Sequence, residues 1–216
     1  MLLHRMRRCS SIDAPDRGTR MLLFFDTETT GLPQWHSPIT DSAQPHLVQL
    51  AALFTDNDGT EVSLLNVIIR PEGWTIPVEA SNVHGITTER AYECGVPLKA
   101  ALSIFNAMLR AASKRVAHNI SFDDMLVSIA AERVGAGRLM EALAGQPTFC
   151  TMNATTNICK IPSPRARHQE DYKWPKLSEA YKHFFNEELV GAHDALVDVR
   201  ACKRIYFALN PYKQAA

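Results

Sequence analysis

The stretch Met21-Leu22-Leu23-Phe24-Phe25-Asp26-Thr27-Glu28-Thr29-Thr30-Gly31 decides the reading of this 216-residue chain. Its opening residues form a short, continuous apolar run, the pattern of a buried strand. The run ends on two carboxylates, Asp26 and Glu28, two positions apart. Side chains alternate along a strand, so both project from the same face. Two carboxylates held that close repel each other unless a cation sits between them. Hard divalent ions prefer such oxygen ligands, and magnesium typically keeps its waters and adds phosphate oxygens. Taken alone, the pair can equally be a strand end with two solvated acids. Gly31 then allows a tight turn where the backbone can approach a ligand closely.

Downstream, a Pro- and Ser-rich loop leads to a second apolar run, Leu47–Thr55. The turn signal Asp56-Asn57-Asp58-Gly59 and the Val- and Ile-rich Glu61–Arg70 follow, which predicts an antiparallel hairpin. Pro97–Ala112 carries Leu98, Ala101, Leu102, Phe105, Met108 and Leu109 at helical spacing. Arg115–His118 and Thr148–Thr151 are short strand candidates. Ser121 reads as the N-cap of a helix with Phe122, Met125, Leu126 and Ile129 on one side. Leu177–Phe185 and Ala192–Leu209 also read as helices. Strands first, then helices alternating with short strands, indicate a mixed sheet with helices on its faces.

Composition supports one compact α/β domain. Hydrophobic residues make up 46% and charged residues 21%, enough for a substantial core. Lys plus Arg and Asp plus Glu each number 23, so net charge names no partner; an acidic metal site can mask a basic groove elsewhere. The five cysteines (Cys9, Cys94, Cys150, Cys159, Cys202) form no Cys-x-x-Cys pair, which speaks against a zinc site or disulfide framework and for a reducing, cytoplasmic setting. No apolar run approaches the roughly 20 residues of a membrane-spanning helix, so no membrane partner is expected. Residues 1–20 read as a flexible N-terminal extension and 211–216 as a C-terminal tail.

Two further elements carry chemistry. In His118-Asn119-Ile120-Ser121-Phe122-Asp123, Asp123 falls in the first turn of a helix, where the dipole favours negative charge. That role alone would explain it, and Asn119 could be a simple turn residue. In Gly191-Ala192-His193-Asp194-Ala195-Leu196-Val197-Asp198, five residues turn roughly 140° around a helix, so His193 and Asp198 cannot share one stripe. They converge only if His193 lies in the loop ahead of the helix with Asp194 as its cap. Asp198 sits between Val197 and Val199 on a helix with an apolar stripe of Leu196, Val199, Cys202 and Tyr206, so a surface position is open to it.

Together these residues resemble the DnaQ-like, or DEDDh, exonuclease superfamily, which includes the proofreading epsilon subunit of bacterial replicative DNA polymerase. Three motifs carry the resemblance, in the family's order: Asp26-Thr-Glu28-Thr-Thr-Gly, His118-Asn119-x-x-Phe122-Asp123 and His193-Asp-Ala-Leu-x-Asp198. The resemblance implies a ribonuclease H-like fold, a five-stranded mixed sheet flanked by helices, over an exonuclease domain of residues 21–210. It implies Asp26, Glu28, Asp123 and Asp198 as metal-binding carboxylates for two Mg²⁺ ions, with Mn²⁺ able to substitute, and His193 as general base. Val83-His84-Gly85-Ile86-Thr87 looks like the family's segment against the terminal nucleotide, and reads equally as a helix C-terminus capped by Gly85. Thr29, Gly31, Leu32, His84 and Asn119 are the expected substrate contacts, with Leu32 as a wedge between the last two bases.

The implied function is 3′→5′ hydrolysis of single-stranded DNA ends, in proofreading or end processing, with a DNA polymerase as a possible partner. Alternatives are an exoribonuclease of the same superfamily, a silent nucleic-acid-binding module, and a hydrolase of nucleotides or dinucleotides. From 160 to 182, Lys160, Arg165, Arg167, Lys173, Lys176 and Lys182 outnumber Glu170, Asp171 and Glu179, so positive charge there could track a phosphate backbone. Tyr172 and Trp174 could stack on bases. The favoured reading of that stretch is a solvated loop anchored to the core by Trp174 and Pro175. Gln49–Phe54 faintly resembles a sliding-clamp-binding peptide, but it falls in an expected core strand and is assigned to packing.

Overall fold

The computed structural model describes residues 20–164, 168 and 171–209. The expected extension (residues 1–19), the tail, and Arg165, Arg167 and Glu170 lie outside the described residues. Five strands and eight helices follow one another as β1 (Leu22–Thr29), β2 (Leu47–Thr55), β3 (Glu61–Ile68), α1 (Val78–His84), α2 (Thr88–Cys94), α3 (Leu98–Ala111), β4 (Lys114–Ala117), α4 (Ile120–Arg133), α5 (Gly137–Gly145), β5 (Thr148–Cys150), α6 (Thr151–Cys159), α7 (Leu177–Phe185) and α8 (Ala195–Leu209). The sheet order is β3-β2-β1-β4-β5, with β1–β2 and β2–β3 antiparallel and β1–β4 and β4–β5 parallel. This is the expected five-stranded mixed sheet of the ribonuclease H-like fold.

β1 is central, and its alternation sorts the two layers. Leu22 and Phe24 share a face with Ala51, Leu53 and Val116, and α8 covers it with Val199, Cys202, Tyr206 and Phe207. Phe24 meets Tyr206 edge-on, with ring centroids 5.3 Å apart. Leu23 and Phe25 face the other way, onto Leu102, Phe105 and Leu109 of α3 and Val127, Ala130 and Ala131 of α4. Continued by period two, this pattern turns Asp26 and Glu28 toward α8 and Thr27 toward α4.

The hairpin turn is built as its sequence demands: Gly59 takes φ 85°, and Asp56 Oδ1 accepts from the Asp58 and Thr60 N–H groups at 2.9 Å each. Gln49–Phe54 lies in β2, whose residues from Leu47 to Leu53 are all buried, as a core strand requires.

Some expectations need correcting. α4 begins at Ile120 and its cap is Asn119, not Ser121, because Asn119 occupies the left-handed region (φ 67°) that asparagine tolerates and turns the chain from β4 into the helix. α4 is also buried on more than one side, with Asp123, Val127 and Ala130 in the interior and Phe122 and Met125 only half-buried. The stretch after Leu32 is a loop, as expected, and side-chain hydrogen bonds hold it. The buried Gln44 amide donates to the carbonyls of Gln34, Ser37 and Pro38, and Arg133 of α4 donates to those of Gln44 and Pro45. No described helix is long and apolar enough to cross a membrane.

Candidate active site

The C-terminal end of β1 is where the two layers meet. Glu28, His193 and Asp198 converge there: one ligand atom from each lies within 4.8 Å of the other two. His193 sits in the turn ahead of α8, as convergence required, with φ 68°. Its N–H donates to Asp198 Oδ2 at 3.1 Å. Asp194 Oδ1 caps the helix by accepting from the Leu196 N–H at 2.9 Å. Asp198 is buried at 8% exposure, against the surface position left open for it, because Ala195, Asp198, Cys202 and Tyr206 follow one another at three- and four-residue steps along the face that packs on the sheet. Its Oδ1 is buried with no hydrogen-bond partner.

Asp26 and Asp123 stand outside this tight group but close enough to act on it electrostatically. Asp123 arrives from the α4 side, 2% exposed, and its Oδ1 accepts from the Thr27 hydroxyl at 2.8 Å. Thr27 therefore joins the two layers through the residue that separates Asp26 from Glu28. Next along α4, Asp124 is gripped by a fork from Arg115 of β4, with Nε and Nη2 each at 2.9 Å. Gln49 pairs across the ladder with Glu28, and its Oε1 accepts from the Ala195 N–H at 3.3 Å, tying the start of α8 to β2.

The family model described as Exonuclease (RNase_T) matches residues 23–206. The chain belongs to this exonuclease family. That membership bears out the expected DnaQ-like exonuclease superfamily. Among solved structures, the exonuclease resembles E. coli exonuclease I in complex with a dT13 oligonucleotide (TM-score 0.69, 19% identity, 90% of this chain and 42% of that one). The complex with a dA16 oligonucleotide gives TM-score 0.65 and 19% identity over 90% of this chain and 42% of that one. A further exonuclease I structure, reported for how processivity is achieved, gives TM-score 0.68 and 19% identity over 89% and 41%. At this identity the likeness shows the fold, and the exonuclease spans 41–42% of the length of those chains. No curated protein matches the sequence.

The electrostatics of the exonuclease's strand end are unusual. Burial, then the neighbouring Asp123, Asp198, Glu28 and Asp194, holds the Asp26 carboxyl well above the usual carboxylate range. Glu28 is pushed up to about 8 by burial, then by Asp198, Asp123 and Asp194. Asp123 is raised to about 8 by burial, with the Thr27 hydroxyl acting against the shift. Burial also raises Asp198, while the His193 N–H opposes it. Among the described residues no Lys or Arg pairs with any of the four. Four interacting acids titrate as a set, and they cannot all ionise near neutrality without added positive charge. Hard carboxylate oxygens, one of them buried and unpartnered, fit a divalent cation.

Of the expected substrate contacts, Thr29 ends β1 and His84 is near enough to His193 to feel its charge. Thr29 Oγ1 donates to the Gly31 carbonyl at 2.7 Å and so shapes the end of β1. Gly31 is not in the left-handed region, and a Cβ there would meet no atom within 4 Å, so no tight turn demands the glycine. Leu32 projects into solvent at 81% exposure. His84 ends α1, capped by Gly85 at φ 72°. Its Nδ1 accepts from the Ile86 N–H at 3.1 Å, leaving Nε2 buried and unpartnered. Burial lowers the His84 pKa, the Thr29 backbone offsets this in part without good hydrogen-bond geometry, and nearby His193 lowers it further. Asn119 is positioned by its backbone at the head of α4, and its side chain makes no capping bond.

Sequence reasoning missed three residues that position this edge: Thr27, Gln49 and His118. His118 Nδ1 meets Thr151 Oγ1 at 2.9 Å and Nε2 meets the Pro175 carbonyl at 3.0 Å. Since a carbonyl only accepts, Nε2 carries the proton and Thr151 donates to Nδ1. Thr27 left a signal in its opposite facing within the strand, and His118 in opening the second motif, though neither signal gave the partner.

Proposed function

We propose that the exonuclease releases nucleoside 5′-monophosphates from the 3′ ends of single-stranded DNA, with residues 21–210 as its catalytic unit and two Mg²⁺ ions, replaceable by Mn²⁺, as cofactors. The observation that carries this reading is the buried, partnerless Asp198 Oδ1 beside Glu28 and His193. Such an oxygen is costly unless a ligand completes it. Asp26, Glu28, Asp123 and Asp198 would hold the ions. Bound divalent cations supply Lewis acidity for the attack of water and for the charge on the departing oxygen.

The chain's own residues do the rest. His193, exposed on its turn, takes the proton of the attacking water as the new O–P bond forms and the P–O3′ bond breaks. Its N–H bond to Asp198 fixes the turn that carries it. The protonated Nε2 of His84 offers a donor to the terminal nucleotide, and Thr29, Gly31, Leu32 and Asn119 line its approach. Leu32, solvent-exposed beside Gly31, is shaped to wedge between the last two bases. The likeness to exonuclease I bound to dT13 and dA16 favours DNA. In proofreading, a DNA polymerase would present the end. A cytoplasmic setting agrees with the free thiols of Cys94, Cys150, Cys159 and Cys202.

The test is a timed digestion of matched 5′-labelled DNA and RNA oligonucleotides with Mg²⁺, with Mn²⁺, with EDTA, and with Asp26→Ala. The expected result is a ladder shortening from the 3′ end of DNA, absent with EDTA and in the variant. A faster ladder on RNA would reassign the polymer, and no ladder on either would overturn the activity. His193→Ala is expected to slow hydrolysis roughly 10²–10⁴-fold with the fold intact by circular dichroism.

A further inference from the structure

The stretch between α6 and α7 was expected to be a solvated loop anchored to the core by Trp174 and Pro175. Only the proline serves as that anchor. Pro175 is buried, while Trp174 is 68% exposed, more than Trp35 at 54% or Tyr92 at 48%.

The exposed ring stands on fixed backbone. Pro162 and Tyr172 form an antiparallel bridge, and the Lys173 N–H donates to the Ile161 carbonyl at 2.9 Å. On the other side, the Pro175 carbonyl accepts from His118 and the Lys176 N–H donates to Glu179 at 2.8 Å. Residues before and after Trp174 are thus held, and its side chain projects into water from a rigid support.

That support hangs from the carboxylate edge. β1 and β4 run parallel with Phe24 paired to Val116, and His118 follows two residues after Val116, in the turn that leaves β4. Thr151, bonded to His118, also touches Cys202 at 3.5 Å, and Cys202 is close enough to feel the charges of Asp26 and Asp123. Lys160 and Lys176 flank the ribbon, exposed and in no ion pair among the described residues.

We propose that Trp174 is a stacking platform for an unpaired base upstream of the scissile bond, with Lys160 and Lys176 meeting the neighbouring phosphates. This rests on the function proposed above. Every base has a π-face, so stacking is tolerant of sequence, but a paired base within a duplex cannot present it. Trp174 therefore sets a preference for single strands and for length, apart from the hydrolytic groups.

The experiment compares wild type, Trp174→Ala and Trp174→Phe on dT20, on a blunt duplex, and on the p-nitrophenyl ester of thymidine 5′-monophosphate, which has no upstream base. Stacking of one base corresponds to about 5–150-fold in affinity. Trp174→Ala is expected to raise KM on dT20 by a factor in that range, leave kcat and the ester unchanged, and narrow the single-strand over duplex preference. Trp174→Phe should recover part of the KM. An unchanged KM on dT20 would overturn the platform, and so would an equal loss on the ester, which would mean that Trp174 props the site. If the wild type hydrolyses nothing, the activity reading falls, and anisotropy of labelled dT20 still judges the platform: equal binding by wild type and Trp174→Ala would sink it. A dimer or partner complex lost in Trp174→Ala, with dT20 binding intact, would reassign the surface to protein contact.

Discussion

The end of β1 and the flank where β3 meets α8 are both rich in acids, and they treat them in opposite ways. On the flank, Glu61 accepts from Lys203 at 2.8 Å and from Arg200 at 3.2 Å, and the Lys203 bond leads in holding its carboxyl below the usual range. Glu187 is likewise paired with Arg204, whose guanidinium holds it down. At the strand end, Asp26, Glu28, Asp123 and Asp198 have no such cation among the described residues, and all lie above the usual range. The contrast narrows to adjacent residues on α4: Asp124 takes the Arg115 fork, while Asp123 has the Thr27 hydroxyl. A fold able to neutralise acids so readily leaves four unneutralised in one place, which is the pattern the proposed cation site requires.

The comparison can be broken most forcefully at Asp198. Asp198→Asn keeps an acceptor for the His193 N–H but removes a charge, and hydrolysis should fall at least about 10³-fold. Differential scanning fluorimetry should show a metal-free melting temperature at or above that of wild type and little gain with Mg²⁺. A large metal-free destabilisation would mean that the acid is structural.

Next comes the paired acid. Arg115→Met should cost about 3 kcal/mol in urea unfolding, since it strands a partly buried Asp124 beside Asp123; that acid is a quarter exposed, which keeps the figure at the low end for a broken buried pair. Asp124→Asn in the same background should recover part of the loss.

The two regions should also respond oppositely to pH. Glu28 has a folded pKa of about 8, above its ordinary value near 4.5. The folded state therefore holds a proton that the unfolded chain gives up, and metal-free stability should fall as pH rises from about 4.5 to about 8. Melts in EDTA between pH 5 and 8 should slope downward, less steeply in Glu28→Gln because Asp26, Asp123 and Asp198 remain raised, and flatten in wild type with Mg²⁺. Glu61 is depressed, so its contribution is present above its ordinary pKa and lost as pH falls below it. Glu61→Gln should be the smallest effect, about 0.5 kcal/mol at neutral pH and less in high salt, because exposed pairs are screened.

What could be read from the sequence followed the strength of its periodicity. β1, the β2–β3 hairpin, α3 and α8 were legible because their apolar residues repeat at strand or helix spacing. Of the short helices, α1 was legible only at its Gly85 C-cap, and α2, α5 and α6 were not. α1 buries no residue and α2 only Ala91, so neither leaves a stripe to detect. Asp26, Glu28 and His193 stood out because carboxylate and imidazole are rare in such dense local patterns. Thr27, Gln49 and His118 did not, since each acts through a partner far along the chain that only the sheet order supplies. Trp174 was misjudged for a related reason: the His118–Pro175 bond fixes the ribbon without help from the indole.

The position of α8 in the chain also governs when the proposed site can be completed. Asp198, in α8, and His193, in the turn ahead of it, follow every described strand of the sheet, while Asp26 and Glu28 belong to the first strand. During synthesis the early acids emerge and pair with β2 long before their distant counterparts exist. Until α8 seats on β1, with Gln49 catching its first turn, the nascent chain holds only half of the proposed site.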